Sequence, residues 1–125
     1  MKYHFSVTKK QDYLHIKVRG DNAPETVRRW LADGIKACAE LKCTRVLIEE
    51  NLTGKSLMTI DTFALVAEGS KLAWQTVTQV AYVNLSPEQD SEELRFIETV
   101  AVNRGLNLKT FNKVEDAEKW LNSTP

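Results

Sequence analysis

The stretch from Arg95 to Leu121 constrains the fold of this chain more than any other. Leu94, Ile97, Val100 and Ala101 recur at three- and four-residue spacing, and Gly105 follows just beyond them. A short run from Leu106 to Phe111 comes next, and then Asn112 with Glu115 stands ahead of Val114, Ala117, Trp120 and Leu121. Physically this is an amphipathic helix stopped by a left-handed glycine, a strand, and a capped helix. Helix, strand and helix in that order are the repeating unit of an open α/β sheet.

The rest of the chain supplies the other units. Tyr3 to Thr8 and Tyr13 to Arg19 alternate with period two, placing Tyr3, Phe5, Val7, Leu14, Ile16 and Val18 on one face, and a polar connection joins them as a β-hairpin. Asn22-Ala-Pro-Glu25 predicts a helix start with a capping box and a first-turn proline, and Val27, Leu31, Ile35 and Cys38, widened by Trp30 and Leu41, predict a helix over 24–41. Arg45 to Glu49 is short, apolar and β-branched, which predicts a buried strand followed by a loop from Glu50 to Leu57. Met58 to Trp74 predicts a second helix facing the core through Phe63, Val66, Ala67, Ser70 and Trp74, with Leu65 and Leu72 as surplus apolar content. Thr78 to Leu85 predicts a strand inside the sheet, and Asp90 with Glu93 caps the third helix. The order ββαβαβαβα predicts an α/β fold with a mixed, mostly parallel sheet and an antiparallel strand at one edge.

With 125 residues, 42% of them hydrophobic and 27% charged, the expectation is one domain spanning the chain. Seventeen basic residues balance seventeen acidic ones, so no net field gathers nucleic acid. The same neutrality leaves a homodimer compatible with the composition. The first ten residues alternate polar and apolar, without the apolar core of a signal peptide, and no run is long enough to span a bilayer. The expected location is cytoplasmic, without membrane insertion. Cys38 and Cys43 lack the spacing of a redox or zinc motif and read as reduced structural cysteines.

Motifs that carry chemistry are few. Gly54-Lys55-Ser56 lies between a strand and a helix, as in a phosphate-binding loop, but Glu49 stands where that loop requires its first glycine. A carboxylate there repels phosphate, so a polar turn is the better reading. Glu49 and Glu50 close a buried strand and point to opposite faces, so at most one faces a crevice; with Asn51, Asn84 and Ser86 they form a candidate strand-end polar site. His4 and His15 share a hairpin face but have no third ligand, and no metal or cofactor is expected. No catalytic triad, nucleophile elbow or dinucleotide fingerprint is present, and no catalytic residue is assigned.

Glu98-Thr-Val-Ala-Val-Asn-Arg-Gly105, the aromatic strand end at Phe111 and Glu118-Lys-Trp-Leu121, taken with the element order, resemble the SpoIIAA-like superfamily. That group includes STAS domains and shares a βα-superhelical fold with lipid-binding CRAL-TRIO modules; the likeness is greatest to small STAS-like bacterial proteins. The resemblance implies a non-enzymatic role, docking a partner protein or holding a small ligand. Anti-sigma factor antagonists of this kind carry a phosphorylated serine after an aspartate at the start of the helix following the third strand. Thr53, Ser56 and Thr59 occupy that region here, none of them after an aspartate.

The reading that results is a regulatory or protein-interaction module docking through the second helix and the loop before it. Met58, Leu65 and Leu72 would offer apolar contacts, and Thr53, Ser56 and Thr59 polar or modifiable ones. The alternative is a carrier of a small apolar ligand between the second and third helices, which needs a cavity of roughly 300 Å³ or more. An enzyme comes third and needs a polar pocket in which Glu49 or Glu50 has a perturbed pKa.

Overall fold

The computed structural model describes residues 2–55, 57–73, 75–86 and 91–123; Ser56, Trp74 and the capping Asp90 lie outside them. The elements are β1 (Tyr3–Lys9), β2 (Leu14–Asp21), α1 (Pro24–Glu40), β3 (Arg45–Thr53), α2 (Thr59–Ala73), β4 (Gln79–Asn84), α3 (Ser91–Asn103), β5 (Leu108–Phe111) and α4 (Val114–Ser123). Five strands form one sheet in the order β1-β2-β3-β4-β5. β1 pairs antiparallel with β2, and every other pairing is parallel. The ββαβαβαβα order and the antiparallel edge strand agree with the sequence.

Because each crossover steps to the next strand in the same direction, the right-handed rule places α1, α2 and α3 on one face of the sheet. The final helix, α4, covers the other. Two cores result. One joins Leu14, Ile16, Val18, Val46, Ile48, Val80 and Leu108 of the strands to Trp30, Cys38, Ala73, Ile97 and Ala101 of the helices. The other holds Tyr13, Leu47, Ala81 and Val83 against Ala117 and Leu121. Residues of β4 are buried throughout, as expected of a parallel strand covered on both faces.

Three boundaries depart from the sequence reading. β3 runs on to Thr53 instead of ending at Glu49, because Leu52 and Thr53 continue the ladder opposite Gly20 and Asp21 of β2. α1 begins without a side-chain cap: its N-cap is Ala23, and the Asn22 amide instead donates to the carbonyl of Lys55 at 2.8 Å. Leu41 is exposed, so it does not extend the buried face of α1. α1 ends in a left-handed turn at Lys42 (φ 51°), with Cys43 N–H donating to the Cys38 carbonyl at 3.0 Å. The predicted glycine stop does close α3: Gly105 has φ 88°, and Leu106 N–H donates to the Ala101 carbonyl at 3.1 Å.

α2 is rotated from the face its sequence suggests. Thr62, Leu65, Gly69, Ser70 and Ala73 turn inward, whereas Phe63 is exposed. Gly69 decides this orientation, since a Cβ there would stand 3.1 Å from the Leu31 side chain of α1. α2 packs chiefly on α1 and α3, and its backbone stands off the strands below.

Candidate functional site

The inward row of β3 reads Val46, Ile48, Glu50, Leu52, so one carboxylate interrupts an apolar face. Glu50 is only 5% exposed. Its neighbours on the sheet explain how it is accommodated. Asn84 of β4 lies directly across the ladder from Glu50, and Tyr82 lies one diagonal step away on the same face. The Tyr82 hydroxyl donates to Glu50 Oε1 at 2.6 Å, and the Asn84 amide donates to the same oxygen at 3.1 Å. From above, the Trp30 indole N–H of α1 donates to Oε2 at 2.9 Å. Trp30 also meets the Tyr82 ring edge-on at 6.4 Å.

Burial raises the Glu50 pKa to about 7, working against the hydrogen bonds from Tyr82 and Trp30 that favour the anion; the charge of Glu93 raises it further. Burial and the adjacent carboxylate push the Tyr82 hydroxyl well above the usual phenol range, so it remains a donor.

This network forms the polar end of a cavity of about 110 Å³ between the sheet and helices α1, α2 and α3. Its walls are mainly apolar, among them Val27, Leu31, Ile48, Leu65, Val66 and Ile97. Glu93, Thr62, Ser70 and Asn22 add polar groups, and among the described residues no lysine, arginine or histidine contributes. The Thr62 hydroxyl is buried and has no hydrogen-bond partner. Cys38 also lines the cavity, but burial and then the neighbouring Cys43 push its thiol up to about 11, which keeps it a poor nucleophile.

On the opposite face Glu49 meets His15, with Oε1 and Nε2 3.1 Å apart. The two glutamates therefore do point to opposite faces. His15 is opposite Thr8 and His4 opposite Arg19, four positions apart along the hairpin, which is about 13 Å at the rise of a strand. Among the described residues no group of three or more histidines, cysteines or carboxylates is placed to hold a metal ion.

No protein-family model matches the chain, and no curated protein sequence matches it. Solved structures do. An uncharacterised protein of the DUF3478 family with a SpoIIAA-like fold, from Shewanella loihica PV-4, superposes with a TM-score of 0.57 at 19% identity, covering 95% of this chain and 93% of that one. The anti-sigma factor antagonist SpoIIAA in its unphosphorylated form superposes with a TM-score of 0.56 at 10% identity, covering 98% of this chain and all of the other. The fold is SpoIIAA-like.

Within the SpoIIAA-like frame the residues singled out from the sequence scatter. Thr53 ends β3, with its hydroxyl donating to the Gly20 carbonyl at 3.4 Å, and Thr59 is exposed at the first position of α2. Met58 and Leu72 are exposed at 70% and 57%, whereas Leu65 is buried and offers no surface contact. Ile60 and Phe63, passed over as surface residues, are exposed at 72% and 43%. Among the described residues no helix is long and apolar enough to cross a membrane.

The strand-end group separates likewise. Glu50 and Asn84 come together, and Ser86 joins them through its backbone N–H, which donates to Asn84 Oδ1 at 2.8 Å. The Ser86 hydroxyl donates to the Leu52 carbonyl, and Leu85 N–H donates to the Glu50 carbonyl at 2.8 Å. Glu49 lies on the far side of the sheet, and Asn51 stands outside the network. The strand order also has no reversal, so the sheet lacks the switch-point crevice that would have made its carboxyl ends a site. Trp30 and Tyr82 were missed because each reads as a packing residue; the available signal was a glutamate at an inward position of β3.

Proposed function

We propose that this protein is a non-enzymatic interaction module that binds a partner protein through α2 and the segment entering it. One observation carries the reading: Met58, Ile60 and Phe63 are three large apolar side chains left exposed within six residues, a grouping that marks interaction surfaces where single exposed apolar residues do not. Residues 60 and 63 are one turn apart on a common side of the helix, and Ala64 and Ala67 extend that side. Phe63 is flanked by Phe96 of α3 at 6.5 Å and by the Arg104 guanidinium at 5.5 Å. An aromatic and an arginine at the centre of an apolar strip are the side chains enriched at binding hot spots. Leu72 lies about 18 Å further along and about 120° round the helix, outside the strip. The structural likeness to an anti-sigma factor antagonist, whose name describes action on another protein, supports the same reading.

The other two readings have less support. At about 110 Å³ the cavity falls short of the roughly 300 Å³ set above for the small-ligand carrier, and has room only for a ligand of a few heavy atoms. For an enzyme, Glu50 has the raised pKa but sits among apolar walls, and Cys38, about two turns of α1 beyond Trp30, is a thiol held protonated, so no activated nucleophile lines the cavity among the described residues.

The test is native mass spectrometry of the protein purified gently from its own cells, with and without Met58→Glu and Ile60→Asp together. The expected result is a second polypeptide on the wild type, lost in the variant while the melting temperature is unchanged. Retention of that polypeptide by the folded variant would refute docking through this strip. Mass added by phosphate at Thr53, Ser56 or Thr59 would add a regulatory switch beside it.

A further inference from the structure

We propose that the cavity beneath α2 binds a small primary amine with an apolar body, its ammonium group seated on Glu50 and Thr62. This inference stands apart from the docking strip, which lies on the outer side of the same helix.

Size comes first. Dry cavities of about 150 Å³ take up benzene-sized molecules, so about 110 Å³ suits a body smaller than benzene, such as a branched aliphatic group of about three carbons. The walls of valine, leucine and isoleucine match such a body. Polarity then selects the head group. A carboxylate has about four acceptor positions. Glu50 uses two on Oε1, for Tyr82 and Asn84, and one on Oε2, for Trp30, which leaves Oε2 able to accept from one more donor. Thr62 presents a second acceptor to the same cavity, 5% exposed and without a partner. An ammonium carries three donors and serves both, whereas an alcohol has one.

Charge points the same way. Glu50 and Glu93 both line the cavity, the charge on Glu93 acts against ionisation of Glu50, and no basic residue lines the walls. A cation relieves that repulsion. An anionic ligand such as a short carboxylic acid would add to it.

The experiment is calorimetric titration of the full chain at about pH 8 with isopropylamine, isopropanol and isobutyrate, which share one branched body. Protein NMR would follow the Trp30 indole N–H resonance alongside. The amine is expected to bind at least about tenfold tighter than the alcohol and to move the Trp30 resonance, with no measurable binding of isobutyrate. Glu50→Gln should abolish the amine's advantage, and Thr62→Val should weaken the amine several-fold. Equal binding of amine and alcohol, a preference for isobutyrate, or no saturable binding of the amine up to about 10 mM would overturn the proposal. If Glu50→Gln does not fold, the three-ligand comparison on the wild type decides. No partner protein takes part, so failure here leaves the docking reading intact, and failure of docking leaves this result unaffected.

Discussion

Glu50 determines how the interior of this protein responds to acid. Its pKa of about 7 in the folded chain lies above the ordinary carboxylate value of 4.5, so between those values the folded state holds a proton that the unfolded state releases. The stability this contributes is complete below about pH 4.5 and is lost as the pH rises to about 7. The shift corresponds to about 3 kcal/mol. Glu50→Gln removes that dependence. The difference in unfolding free energy between variant and wild type should therefore move in favour of the variant by that order from pH 4.5 to 7.5, as measured by denaturant titration at a series of pH values. A flat difference would show that Glu50 titrates normally in the folded protein. Only part of this was legible from the residues. Alternation showed that the adjacent glutamates at the end of an apolar run point to opposite faces and that at most one could face a crevice, but not which one. Their charge, however, read as the end of the strand, because a buried carboxylate is tolerated only with donors that come from elsewhere in the chain, here α1 and β4.

At the level of elements, pairing decided what local pattern left open. β3 is longer than its apolar run because β2 offers a ladder as far as Asp21, and Leu52 returns to the buried row after Glu50. β1 is held at its start by a close approach: Gly20 has φ 155°, and a Cβ there would meet the Lys2 carbonyl oxygen at 2.2 Å. Asp21 N–H donates to that carbonyl at 3.2 Å, and Lys2 N–H donates to the Asp21 carboxylate at 3.0 Å. Gly20→Ala is expected to cost on the order of 1–3 kcal/mol and to speed amide exchange in β1. Unchanged stability and exchange would mean that β1 reaches its place without this contact. The rotation of α2 was not visible in its sequence, since Phe63 and Leu65 are both apolar and only the fit of Leu31 against Gly69 chooses between their faces. The candidate docking strip depends on that choice.

For the whole molecule, one sheet supports two cores of unequal closure. α4 seals its face through Ala117 and Leu121, both fully buried, and the Tyr13 hydroxyl donates to Glu118 Oε2 at 2.8 Å. On the other face α2 spans α1 and α3 above a cavity. Amide exchange should therefore be slowest in β3 and β4 and faster in α2 than in α1, α3 or α4, because a helix with less sheet beneath it opens at lower free energy. Protection of α2 equal to that of α1 would contradict this. The sequence by itself determined the order of elements, the antiparallel edge and the glycine stop of α3, because hydrophobic periodicity and backbone preference are local properties. Only the tertiary structure decided that Trp30, Tyr82 and Asn84 converge on Glu50, which side of α2 faces solvent, and that a cavity lies beneath it. Those features arise from contacts between residues far apart in the chain, and no local pattern records which distant donor a buried carboxylate will meet.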